Sequence, residues 1–215
     1  VNHLINLINE GDESRYGQCL AYLNYTIDNR LVFNRGEMSP QRFKNTVTVY
    51  SHEKQFKYAQ AFIDYFQNLL PEEKRNQAVL YNEAYLLFAQ GNPDGAQPKL
   101  VEMELNAGST GTDRYLTIST KTLYVKIFYK TDQEEVLNGF LEAFDKFICD
   151  QEELKNDRKE KLRNFIRLVK KLKKRQTLEH NKTHCNQLEA EIKKTNTISK
   201  DWLLEMVEKK RKPGA

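Results

Sequence analysis

AVLYNEAYLLFAQGNPDGAQPKLVEMEL, residues Ala78–Leu105, reads as two helices folded back on each other through a tight turn at Gln90–Asp94. Leu80, Ala84 and Leu87 lie at helical spacing, and so do Tyr81, Tyr85 and Phe88 beside them. The two stripes stand about 100° apart, so the helix is apolar over much of its girth and needs neighbours on more than one side. Gly91 supplies the stop, because glycine takes the left-handed conformation that closes a helix at little cost. Asn92 followed by Pro93 reads as an N-cap with proline at the first helical position, where its missing N–H is not needed. Pro98 falls in the opening turns of the second helix and weakens or bends its start. Ala84 and Ala96 are small where two helices would approach closely.

Ala84, Gly91, Asn92, Ala96 and Leu100 are spaced like the small, glycine, small and bulky positions of a tetratricopeptide repeat, which this hairpin resembles. The aromatic/leucine opening is kept loosely, as Leu80–Tyr81, and the closing proline is absent. The same turn-to-second-helix position recurs at Tyr16, Ala59, Ala96 and Val136, separated by 43, 37 and 40 residues. That register is irregular and longer than the roughly 34-residue tetratricopeptide unit, closer to the broader class of α-solenoids.

The remaining chain reads the same way. Val1–Asn9 has Leu4, Ile5 and Ile8 on one face and looks like the tail of a helix that Gly11 breaks. Arg15–Phe33 carries a stripe of Cys19, Leu20, Leu23, Ile27 and Leu31, and Gly36 ends that element. Ser39–Pro40 opens the next helix as cap and first position, with Phe43, Val47 and Tyr50 along it. A turn at Ser51–Lys54 leads to Phe56–Leu70, and Pro71–Glu72–Glu73 marks a helix start with carboxylates toward the positive end of the dipole. Asp113–Tyr129 is helical, and Thr131–Glu134 fits a capping box that opens Gln133–Ile148. Ser199 or Thr197 caps a last helix, in which Trp202, Leu203, Met206 and Val207 seal the end of the array. Strand signals are weak, since Val47–Tyr50 and Tyr115–Ile118 are short and sit in helical context.

Composition limits the classes open to the chain. Its 215 residues can bury a core, and 30% charged with 39% hydrophobic residues is a balance of soluble helical proteins. Nine glycines and five prolines leave little room for many tight β-turns. Three scattered cysteines, Cys19, Cys149 and Cys185, argue for a reducing, cytoplasmic setting over a disulfide framework. No apolar run reaches the roughly 18 residues of a membrane span. The chain starts at Val1 inside an apparent helix, which suggests a fragment of a longer protein.

Charge is unevenly spread. Lys155–Arg175 holds eleven basic residues and two acidic ones, +9, so the rest of a +4 chain carries about −5. Leu162, Phe165, Ile166, Val169 and Leu172 keep a helical apolar stripe through this segment, which is therefore a packed amphipathic helix. Its cations are the candidate contacts for a polyanion or an acidic partner: Arg163, Arg167, Lys170, Lys171, Lys174 and Arg175. The plain alternative is a solvated face on the last repeat helix. Nucleic acid is a weaker reading, because the aromatic company needed for base stacking is missing and Phe165 belongs to the apolar stripe.

Chemistry-bearing motifs are otherwise scarce. The loop Asn106–Thr112, NAGSTGT, has two glycines but no following Gly-Lys-Ser/Thr and no preceding strand, so it reads as an inter-repeat connection rather than a phosphate loop. His180 and His184 stand four apart beside Cys185, without a carboxylate or second cysteine to complete a zinc site. His3 and His52 have no nucleophile at a recognisable distance, and the Glu72–Glu73, Glu134–Glu135 and Glu152–Glu153 pairs read as first-turn charges rather than an acid/base couple. No catalytic, cofactor-binding or metal-binding residue is expected.

Ser39–Val47 (SPQRFKNTV), Ala61–Pro71 (AFIDYFQNLLP), Tyr81–Gly91 (YNEAYLLFAQG), Leu123–Tyr129 (LYVKIFY), Lys161–Leu168 (KLRNFIRL) and Asp201–Glu205 (DWLLE) occur together. In this combination the chain resembles the C-terminal repeat region of an uncharacterised bacterial family of tetratricopeptide-like proteins. The resemblance spans essentially the whole chain and implies an all-helical repeat fold, with no activity and no binding residues attached. Asn106–Thr112 is longer than that family's usual connection.

The expectation is therefore an all-α, right-handed α-solenoid of antiparallel helix pairs. Residues 1–150 would form about four degenerate pairs, and residues 151–215 would add continuous C-terminal helices packed on the same array. The expected role is a non-enzymatic, cytoplasmic protein-interaction scaffold or regulatory module without a cofactor. A nucleic-acid-binding module using Lys155–Arg175 is the alternative.

Overall fold

The computed structural model describes residues 2–9, 13–29, 31, 37–106, 114–173 and 182–211. Every regular element among them is helical, as expected. We number the α-helices α1 (Asn2–Asn9), α2 (Tyr16–Asp28), α3 (Pro40–His52), α4 (Phe56–Phe66), α5 (Glu72–Ala89), α6 (Pro93–Leu105), α7 (Arg114–Lys130), α8 (Glu134–Asp150), α9 (Asn156–Lys173), α10 (Lys182–Lys194) and α11 (Lys200–Arg211). Among the described residues none is long and apolar enough to cross a membrane.

The helices gather into two compact units, one of Val1–Ile5 with Ser14–Leu137, the other of Asn6–Glu13 with Asn138–Ala215. In the first, α5 packs against α3, α4, α6 and α7; α4 also lies on α3, α6 on α7, and α2 on α3. The hairpin closes as its residues require. Gly91 has φ +85°, its N–H donates to the Phe88 carbonyl, and the Asn92 N–H reaches the Leu87 carbonyl at 2.9 Å. Those two bonds form a Schellman motif, which satisfies carbonyls left open at the end of α5. Asn92 Oδ1 then accepts from the Gly95 N–H at 2.9 Å and caps α6, with Pro93 in its first turn. Ala84 and Ala96 have no exposed surface, and Leu100 and Met103 are buried beside them.

The wide apolar face of α5 is accounted for by its neighbours. Tyr81 is buried with its hydroxyl toward Ser119 of α7, and the half-buried Tyr85 has its hydroxyl toward Thr48 of α3. Burial opposes ionisation of both and pushes Tyr85 up to about 12. Between α3 and α4, the Phe43 and Phe62 rings meet at 5.4 Å.

Four local expectations are corrected. Helix α2 ends at Asp28 instead of Phe33, and Leu31, placed in its stripe, is 59% exposed. The segment Phe56–Leu70 is α4 followed by a 3₁₀ turn at Gln67–Leu69, and Pro71 stands just before α5 rather than inside it. The Thr131–Glu134 capping box does not form. Asp132 takes a left-handed φ of 60°, and the Thr131 hydroxyl turns back to donate to the Ile127 carbonyl at 2.9 Å. In α8 the buried position is Leu137, while Val136, aligned with Ala59 and Ala96, is 50% exposed. The Ser39 cap holds, its hydroxyl accepting from the Arg42 N–H at 3.3 Å.

In the second unit α9, α10 and α11 share a core, α11 packing on both of the others. Helix α9 contributes Leu162, Phe165, Ile166, Leu168, Val169 and Leu172, α10 contributes Cys185, Leu188 and Ile192, and α11 contributes Trp202, Leu203, Met206 and Val207. The Trp202 ring lies 6.0 Å from that of Phe165. Of the two cap candidates for α11, Ser199 directly precedes the helix with φ 53°, whereas the Thr197 hydroxyl faces the Lys161 carbonyl of α9.

Candidate functional site

The basic segment forms one helix, α9, and its periodicity sorts the charges. Lys159, Arg163, Arg167 and Lys171 recur every four residues and share a face with Lys170 beside them, opposite the apolar stripe. Lys161 falls on the other side, buried at 9% exposure and paired with Asp157 one turn earlier at 3.1 Å. Lys174, Arg175 and His180 lie outside the described residues, as do residues 107–113 of the glycine-containing loop.

Beside this face runs a groove of about 920 Å³ lined by α8 and α9. Asp145 and Cys149 of α8 meet Lys159, Arg163, Arg167, Lys170 and Lys171 of α9 there, with Asn156, Glu160, Asn164 and Ile166 completing the lining. Five cations thus stand against two carboxylates.

Several of these cations already hold an acceptor from the same chain. Arg163 Nε donates to Asp145 Oδ1 at 2.9 Å, a hydrogen bond that holds the guanidinium above its usual pKa. Lys159 Nζ donates to the Cys149 carbonyl at 3.2 Å. Glu191 of α10 receives Lys171 Nζ on both oxygens, at 2.7 and 2.8 Å, together with Arg167 Nη1. Burial acts to raise the Glu191 pKa, but the hydrogen bonds from Lys171 and Arg167 outweigh it and leave the carboxyl below its ordinary value. Lys170 makes no hydrogen bond or ion pair among the described residues and is exposed. Such exposed pairs are worth roughly 0–1 kcal/mol each, so they set geometry more than stability.

Four contributors to this arrangement were not among the sequence candidates: Lys159, Asp145, Cys149 and Glu191. Only Lys159 carried a readable signal, because it continues the four-residue spacing backward from Arg163. The others come from α8 and α10, and their proximity depends on tertiary packing.

Other sequence candidates separate in space. His184 is exposed and its neighbour Cys185 is buried, so the two do not face one environment. His52 stacks on Tyr16 with ring centroids 3.5 Å apart and contacts Glu53 at 3.2 Å. No group of three or more histidine, cysteine or acidic side chains with metal-binding geometry occurs among the described residues. Cys19, Cys149 and Cys185 are free thiols, the first and last buried and Cys149 exposed. Compared with protein-family models, with curated proteins and with solved structures, the chain finds no match.

Proposed function

We propose that this chain is a non-enzymatic protein-interaction module, built as a right-handed, tetratricopeptide-like stack of antiparallel helix pairs and working in the cytoplasm. The observation that carries this reading is the packing order of the first unit. Helix α5 sits between α3 and α7, while α4 lies against both α3 and α5 and α6 against both α5 and α7. The α3–α4 hairpin thus touches the α5–α6 hairpin, and that hairpin touches α7, through one repeated relation, the way repeat arrays propagate. Such arrays carry extended surfaces suited to macromolecular partners. The inference from fold type to function is by analogy. Three free cysteines suit a reducing compartment.

Affinity capture from native extract tests the reading. A specific protein should be retained by the intact chain, and retention should survive a rise in salt from about 50 to 200 mM better than phosphate binding would. Repeated recovery of no specific protein counts against the scaffold role.

A second reading, nucleic-acid binding through α9, draws support from the cations that line one groove. It requires duplex or single-stranded oligonucleotides to bind at about 50 mM salt and to weaken steeply by about 200 mM. Absence of binding at low salt removes it.

A further inference from the structure

We infer that the α8–α9 groove is a docking site for an acidic peptide segment of a partner protein, with side-chain carboxylates seated on Lys170 and the neighbouring cations. The inference rests on the protein-interaction reading and names the partner chemistry that one surface would take.

The groove itself shows the chemistry it accepts. Two of its cations, Arg167 and Lys171, converge on the single carboxylate of Glu191, and a third, Arg163, holds that of Asp145 at 2.9 Å. These are carboxylates presented on flexible side chains, and the guanidinium and ammonium heads are already turned to receive them. Lys170 lies in the same lining with no such partner among the described residues. Asn156, at the start of α9, likewise has no side-chain hydrogen bond among the described residues, and its amide matches the donor–acceptor pair of a peptide bond. A strand of acidic peptide therefore finds charge for its side chains and an amide for its backbone.

Two features favour peptide over nucleic acid. Among the described residues no aromatic side chain lines the groove, so unpaired bases would have nothing to stack on there. The aliphatic lining residue Ile166 is only 3% exposed, which leaves a polar floor among the described residues. The intramolecular pairs also suit a reversible site, since an incoming carboxylate replaces one exposed ion pair with another at small cost.

The test uses the full chain and a fluorescein-labelled oligo-glutamate peptide, read by anisotropy at low salt. Single-stranded and duplex oligonucleotides of equal charge serve as rivals. The peptide should bind, and Lys170→Glu should weaken it about tenfold or more, with Lys159→Glu additive to it. Lys57→Glu on α4 makes the same change of net charge outside the groove and should leave affinity within about twofold. Bound peptide should also slow iodoacetamide alkylation of Cys149, the exposed thiol at the groove's edge, while helical circular dichroism of the variants stays unchanged. Absence of peptide binding, equal losses from Lys57→Glu and Lys170→Glu, tighter binding of an oligonucleotide, or an unprotected Cys149 would each overturn the proposal. If the peptide fails to bind the unaltered chain while that chain still captures a specific protein from extract, this site is wrong and the scaffold reading stands. If capture also fails with the unaltered chain, both fall.

Discussion

Helices α5 and α9 are both 18 residues long, yet they bury their side chains by different rules. In α5 the buried positions are Ala78, Leu80, Tyr81, Asn82, Ala84, Leu86 and Phe88, close to every second residue. In α9 they are Lys161, Leu162, Phe165, Ile166, Leu168, Val169 and Leu172, in clusters that recur every three to four residues. A helix buried at every second residue is covered on several sides, whereas three-four spacing covers one side and leaves the other to solvent. Helix α5 is therefore structural through most of its girth. Helix α9 combines a structural half with a solvent-facing half, and the solvent-facing half carries most of the charges. Equal length and equal burial thus coexist with opposite capacities to meet a partner.

The sharpest way to break this contrast is to truncate both faces of each helix. Leu80→Ala and Leu86→Ala, on different sides of α5, should each cost about 2–5 kcal/mol in urea unfolding. In α9, Leu168→Ala should fall in the same range, while Lys170→Ala should change stability by no more than about 0.5 kcal/mol. A cheap Leu80→Ala or Leu86→Ala would mean that α5 is not enclosed on both sides.

The hairpin turn offers a smaller effect of a different origin. Gly91→Ala should cost about 1–2 kcal/mol, because φ +85° is a conformation that side chains disfavour even in open space. Gly95 is constrained by its neighbour instead. A Cβ there would lie 2.6 Å from Asn92 Nδ2, the side chain that caps α6. Gly95→Ala should therefore bring no gain in the native chain, although alanine is favoured over glycine in a helix by about 1 kcal/mol. After Asn92→Ala, itself costing about 1 kcal/mol, the same change should become stabilising. Additive behaviour in thermal melts of the four proteins would refute the clash.

Much of this hairpin was legible because its signals are local. Asn92–Pro93, Ser39–Pro40 and Gly91 act within one turn, and each forms the cap or stop its residue types require. Errors arose where local signals compete. Thr131 and Glu134 have capping-box spacing, but the threonine hydroxyl finds the Ile127 carbonyl first and the chain turns once more at Asp132. Leu31 continues the α2 stripe in sequence, yet the helix ends at Asp28 and leaves it exposed. The candidate site was half legible. The charge count named Arg163, Arg167, Lys170 and Lys171 as candidates, but it shows neither that they share a face nor that Asp145 and Glu191 arrive from other helices to neutralise some of them.

The ion pairs around α10 give the smallest and most specific expectation. Hydrogen bonds from Lys193, then Arg211, hold the Glu189 carboxyl down to about 2, against an ordinary 4.5. A carboxyl whose pKa is lower in the folded chain binds its proton more readily when unfolded, so acid favours unfolding. Its contribution is complete above pH about 4.5 and disappears as the pH falls toward about 2. Glu191, also held low in the folded state, acts in the same direction. Glu189→Gln should therefore flatten the fall in stability across that acid window and leave the pH dependence above it unchanged. Because the Lys193 pair is exposed, raising salt should shrink the difference between the two proteins. An unaltered acid slope in Glu189→Gln would show that Lys193 and Arg211 do not hold this carboxylate in solution, and that the charged half of the second unit is looser than its apolar half.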